Sequence, residues 1–305
     1  MKRKKIWIRW IAWILLLVLC MNSAGTTALA VSANEESILN INGSLEEEML
    51  SEEFISEEES TSSAEETPDY ISHTDTRKGA MNSVYHYVRS YMLGRKARLV
   101  AKEAHRKTGR LLDIGTGTGY FADTMVRRGW KVEAVEKNPQ AREFAKEHFG
   151  LEVKPESALQ EFAPGSFDVI TLWHVMEHLE HLGEVWQQLH EMLTEKGLLI
   201  VAVPNCSSYD AQRYGEYWAA YDVPRHLWHF TPGTIQQLAS RHGFIMAARH
   251  PMPFDAFYVS MLSEKHRGSS CSFLKGMYVG TLAWFSALGR KERSSSMIYV
   301  FRKKR

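Results

Sequence analysis

The stretch Leu111-Leu-Asp-Ile-Gly-Thr-Gly-Thr-Gly-Tyr-Phe121 sets three glycines at alternate positions, directly after an apolar run and directly before a helical pattern. Glycine admits positive φ and lets the backbone come close to whatever it faces, so positions 115, 117 and 119 predict a tight turn pressed against a ligand. Arg110 to Ile114 reads as a short strand. Phe121, Ala122, Met125 and Val126 then recur at helical spacing until Gly129. Strand, glycine turn, helix is the order used by nucleotide-binding α/β folds. The dinucleotide version, G-x-G-x-x-G, would need glycine at 120, where this chain has Tyr120.

Lys131 to Glu136 forms a second apolar run, and Asn138-Pro139 after it predicts a helix start. Glu136 follows the glycine motif by about twenty residues, the place of an acid that accepts hydrogen bonds from ribose hydroxyls. Ser166 to Leu172 and Lys196 to Pro204 are further apolar runs, with Val185, Leu189, Met192 and Leu193 at helical spacing between them. Strands apolar on both faces, alternating with helices, predict a doubly wound α/β fold with a parallel sheet covered on both sides.

Asp113-x-Gly-x-Gly-x-Gly119, the run FDVITLWHVMEHL from Phe167 and the Val-Pro-Asn ending at Asn205 resemble motifs of class I S-adenosylmethionine (SAM) dependent methyltransferases. Within them, the chain is similar to the group that includes ubiquinone-biosynthesis O-methyltransferases, and Trp218 to Pro232 resembles a signature of bacterial members. The likeness runs from about residue 70 to the C terminus. It implies a mostly parallel, seven-stranded Rossmann-like sheet and SAM as cofactor, with S-adenosylhomocysteine as product. It also implies cofactor contacts from Asp113, Gly115, Thr116, Gly117, Gly119, Tyr120, Glu136, Lys137, Trp173 and His174.

Methyl transfer from a sulfonium needs positioning and exclusion of water, not a covalent nucleophile. A hydroxyl acceptor must also lose a proton, and histidine is the usual base. Two clusters offer one. The first is His174-Val-Met-Glu-His178, whose H-x-x-E-H also matches a zinc-protease pattern, read here as accidental because that pattern needs both histidines on one helix. The related O-methyltransferases carry a divalent metal on the corresponding stretch, with an acid at its first position. Glu177 and His178 match, His174 departs, and no metal ligands are assigned. The second cluster, Tyr221 to His229, supplies Arg225, His226 and His229 as further catalytic candidates, with His226 as the proton acceptor. Against these stand structural readings, in which Arg225 pairs with Asp222 and Glu177 with His178 merely orients a turn.

The 305 residues suffice for one full-sized core. A formal net charge of +1 provides no basic footprint for nucleic acid. Three cysteines far apart, at 20, 206 and 271, form neither a disulfide framework nor a zinc ribbon. Residues 1–30 read as a signal-peptide-like or membrane-anchor segment: Lys2 to Lys5 and Arg9 precede an apolar run from Trp10 to Met21, and Ala28-Leu-Ala30 resembles a cleavage site. Residues 31–68 have no Lys or Arg and many glutamates, which predicts a disordered acidic linker. Residues 69–305 are then the methyltransferase domain. Within it, a lid helix spans about 75–105 through Val84, Val88, Met92, Leu99 and Val100, and a substrate-side loop spans about 206–230. Ser272 to Leu288 reads as a buried or substrate-capping helix. Export by the N-terminal segment conflicts with the need for cytosolic SAM, so the segment is either an export signal, a tether or a graft. The expected partner is a small-molecule or lipid-linked acceptor. The alternative is a noncatalytic, membrane-tethered module that binds a nucleotide-like ligand.

Overall fold

The computed structural model describes residues 80–304, with side chains from Arg89 onward. The segments 1–30 and 31–68 and the start of the lid lie outside the described residues.

Seven strands form one sheet in the order β3-β2-β1-β4-β5-β7-β6. They are β1 (Arg110–Ile114), β2 (Lys131–Val135), β3 (Val153–Lys154), β4 (Phe167–Trp173), β5 (Leu193–Pro204), β6 (Phe244–Met252) and β7 (Ser296–Lys303). The first five pair in parallel, whereas β7 runs antiparallel to both β5 and β6, so the sheet is mixed. Helices α1 (Ala80–Glu103), α2 (Tyr120–Val126), α3 (Pro139–Phe149), α4 (Leu182–Met192), α5 (Tyr209–Tyr214), α6 (Pro232–Arg241), α7 (Asp255–His266) and α8 (Ser272–Gly289) complete the described chain.

Local chemistry sets several boundaries. Asn138 caps α3 by accepting from the N–H groups of Gln140 and Ala141, with Pro139 in the first turn. Thr231 caps α6 in the same way ahead of Pro232. Leu193, expected on the helix with Leu189, instead opens β5, because α4 ends at Met192 and the chain turns extended there.

Both faces of the sheet are packed. On one side Trp186 and Leu189 of α4 meet Phe244, Tyr299 and Phe301; on the other Phe121, Met125 and Trp130 meet Val169, Ile200 and Val300. Each fully buried side chain of this kind contributes about 1.5–3 kcal/mol, which is why β4 and β5 can be apolar on both faces. From β1 the chain moves outward to β2 and β3, then returns to β4 on the other side of β1. The crevice beyond the C-terminal ends of β1 and β4 is therefore the switch point where ligands of open α/β sheets bind.

Candidate active site

The glycine loop leaves β1 at this crevice, and its three glycines answer three different demands. A Cβ on Gly115 (φ +66°) would lie 2.4 Å from Val175 Cγ2, and one on Gly119 (φ +85°) 2.9 Å from Ala145 Cβ. Both are glycine because the protein itself is in the way. Gly117, at φ +56°, has no atom within 4 Å of such a Cβ. Open space remains only there, so Gly117 is where the loop can receive a ligand.

Two carboxylates hold the loop. Asp113 accepts from Thr116 Oγ1 at 2.7 Å and from Thr171 Oγ1 at 2.5 Å. Burial pushes its pKa up to about 6, against the lowering effect of the two hydroxyls. Glu136 at the end of β2 accepts from the N–H of Gly117 at 2.8 Å and of Asn138 at 2.9 Å, one on each oxygen. A carboxylate oxygen has a second lone pair, so Glu136 can bind the loop and ribose hydroxyls together. The Tyr120 ring packs edge-on to Phe149 under Arg89, and exposed Lys137 contributes its carbonyl to Arg142. Trp173 packs edge-on to Phe121, with Lys96 of α1 over its ring at 4.7 Å, which brings the lid candidate to the crevice.

The two histidine clusters, separate in the sequence, become one site. The carbonyl of Glu177 accepts from the N–H groups of Leu227 at 2.8 Å and Trp228 at 3.2 Å. Trp228 Nε1 donates to the Leu179 carbonyl at 2.7 Å. His178 Nδ1 lies 3.2 Å from the Arg225 carbonyl, and His226 Nδ1 lies 2.9 Å from that of Ala220. A carbonyl only accepts, so in both rings Nδ1 carries a proton, and Nε2 is the lone-pair nitrogen of the neutral tautomer. Val175, against Gly115, joins this assembly to the glycine loop.

His174 follows β4 at φ +56°, and Met176–His178 is a single 3-10 turn. Two histidines on one helical face, as in the zinc proteases, are thus not formed. His174 instead sits between two carboxylates, with Nδ1 3.3 Å from Glu177 Oε1 and Nε2 3.4 Å from Asp255 Oδ2. Burial opposes its charge, but Asp255 and Glu177 outweigh burial and push the pKa up to about 10. A cation at neutral pH does not accept a proton, so His174 is a poor base. At His226 burial prevails and lowers the pKa, against the pull of Glu177. Arg225 forms an ion pair with Asp222 at 2.8 Å. His229 Nε2 faces the Tyr221 carbonyl at 2.9 Å. It borders a hollow of about 220 Å³ whose walls include Trp228, Thr234 and Arg241 but not Glu177, His178 or His226.

Sequence reading assigned no metal ligands, yet Glu177, His178 and His226 bring one donor atom each within 4.8 Å of one another. Glu177 is 1% exposed; its Oε1 is paired with the His174 ring at 3.3 Å, whereas its Oε2 accepts no hydrogen bond. Two imidazoles oriented by backbone carbonyls beside such a carboxylate suit a divalent cation. Asp255 was also missed. It reaches His174 only because α7 packs there, which no local pattern announces.

A family model described as a methyltransferase domain matches residues 84–248, more than half of the chain. The ubiquinone biosynthesis O-methyltransferase of Caulobacter sp. (strain K31) is 38% identical over 103 residues, covering 32% of this chain and 41% of that protein. Its mitochondrial counterpart from Schizosaccharomyces pombe is 33% identical over 101 residues, covering 30% and 37%. The match thus spans about two fifths of the length of these relatives. A putative sarcosine dimethylglycine methyltransferase from Galdieria sulphuraria superposes with a TM-score of 0.50 at 18% identity, covering 71% of this chain and 86% of that one, a likeness of fold.

Proposed function

Because the chain belongs to the methyltransferase-domain family, we propose that it moves the methyl group of SAM to an oxygen of a small-molecule or lipid-linked acceptor. The observation that carries this reading is the meeting of two half-sites at the switch point. An open glycine loop with its ribose acid abuts, through Val175 on Gly115, a buried carboxylate–imidazole cluster. Oxygen as the target accords with the reaction named for the curated relatives.

SAM bound at Gly117 supplies a methyl group on a positive sulfur, so transfer relieves charge and leaves a neutral thioether. Glu136 holds the loop closed from beneath while offering its remaining lone pairs to the ribose. His226, neutral at pH 7 with its proton fixed on Nδ1, presents Nε2 to take the proton that an acceptor hydroxyl must shed. Arg225 positions His178 through its carbonyl and is itself held by Asp222. In the alternative arrangement, with His226 Nε2 serving as a ligand instead of as the base, Glu177, His178 and His226 would hold a divalent cation, whose chemistry there is to polarise an acceptor oxygen.

The test is S-adenosylhomocysteine formation by the full chain over a panel of phenols and catechols with and without isoprenoid tails. His226→Ala is expected to leave SAM affinity nearly intact while lowering turnover by about a hundredfold to ten-thousandfold. SAM binding without turnover across the panel would favour a binding module; an equal loss of affinity and turnover in the variant would make His226 structural.

A further inference from the structure

The α8 helix is mostly apolar, with Lys275 its one charge, but it is buried on only one face. Its inner face consists of Gly276, Val279, Gly280, Ala283 and Ala287 packed on α7. A Cβ on Gly276 would sit 2.5 Å from Met261 Cα, and one on Gly280 2.8 Å from Phe257 Cα. This fit fixes the rotation of the helix about its axis. The outward face is left with Leu274, Tyr278, Phe285 and Leu288, exposed by 69%, 62%, 52% and 47%. At spacings of four, seven and three they form one stripe along the helix.

Charge around the stripe is one-sided. Exposed Lys265 and Arg267 stand before the helix, Lys275 on it, and Arg290 and Lys291 directly after it. The acids nearby are engaged elsewhere: Glu264 is buried, Asp255 faces His174, and Glu292 pairs with Arg249. An exposed apolar stripe flanked by cations can bury its apolar side chains at a membrane interface while the cations meet anionic headgroups. Among the described residues no helix is long and apolar enough to cross a bilayer, so such contact would be with its surface. The sequence contains a second apolar run with cationic residues before it, Trp10 to Met21 after Lys2 to Arg9.

We propose that the outward face of α8 is a docking surface for an anionic lipid bilayer. Leu274, Tyr278, Phe285 and Leu288 enter the boundary between headgroups and acyl chains, and the flanking Lys and Arg residues meet lipid phosphates. The surface lies one helix from the chemistry, because α7, which α8 covers, begins at Asp255 beside His174.

The experiment uses the full chain with a photoreactive benzoylphenylalanine in place of Tyr278, of Phe285 or, as a control, of Val126, which is 41% exposed on α2. Each protein is irradiated with phosphatidylcholine vesicles with or without phosphatidylglycerol, and the adducts are located by mass spectrometry. Because residues 1–31 have an apolar run of their own, the position of the adduct is the readout, not total binding. Lipid adducts at 278 and 285 that require the anionic lipid, are absent at 126 and fall roughly tenfold in Arg290→Ala/Lys291→Ala are expected. A covalent dimer would make the face an interface between copies, and adducts to residues 1–79 would make it a seat for the chain's own N-terminal part. Either result, or equal lipid labelling at 126, overturns the proposal.

Discussion

At the level of single residues the glycine loop separates two roles that look alike in the sequence. Gly117→Val is expected to abolish SAM binding while the sheet stays folded, since its Cβ enters open space and the strain is limited to about 1–2 kcal/mol for positive φ; calorimetric titration and circular dichroism read the two. Gly115→Val should instead unfold or strongly destabilise the domain, because the new side chain collides with Val175 and also pays about 1–2 kcal/mol for positive φ. Glu136→Ala should weaken SAM binding by about 1.5–3 kcal/mol, and a change below about 0.5 kcal/mol would return Glu136 to a structural role. His174 makes a prediction about pH. Its pKa is raised on folding, so the stability it contributes is fully present below its unfolded value near 6.5 and is lost as pH rises through about 10. His174→Gln should flatten that alkaline part of the urea-midpoint profile; an unchanged slope would remove the ion pair from the argument. The strand, glycine turn and helix were readable because their residues are neighbours along the chain. The histidine assembly was not: each cluster was visible, but only tertiary packing lays Glu177 against Leu227 and Trp228, and only that contact makes a donor set.

At the level of elements, the strands that are apolar on both faces declared themselves, and β1 falls where the pattern put it. The β6 strand escaped because it contains Arg249 and His250 and packs at the sheet edge, where polar residues are tolerated. In β3 two residues are too few to show any period. The α8 helix was expected to be buried or capping, and it is buried on its glycine face alone. That face gives a direct test: Gly276→Val should cost at least about 1–3 kcal/mol by overpacking, because Met261 backbone stands where the side chain would go. An unaffected urea midpoint would show that α7 and α8 can separate freely.

For the whole molecule, deletion of residues 1–67 is expected to leave the SAM affinity and melting temperature of the remaining chain unchanged, since the glutamate-rich stretch from residue 31 that joins the N-terminal apolar run to the domain has little to bury. Loss of folding would mean that this part packs on the domain. A different consequence follows from the position of β7 between β5 and β6. The glycine loop and Glu136 lie among strands that follow one another closely, and their contacts form over short stretches of chain. Everything from Pro204 to Ser296, including His226 and both α7 and α8, lies in one long excursion whose two ends are joined when β7 pairs with β5. Closing a long loop is slow because its entropy is lost before its contacts are gained. In a refolding experiment, recovery of methyl transfer should therefore follow the rate at which β7 enters the sheet, and weakening that strand should slow the return of activity more than mutations in the cofactor loop do.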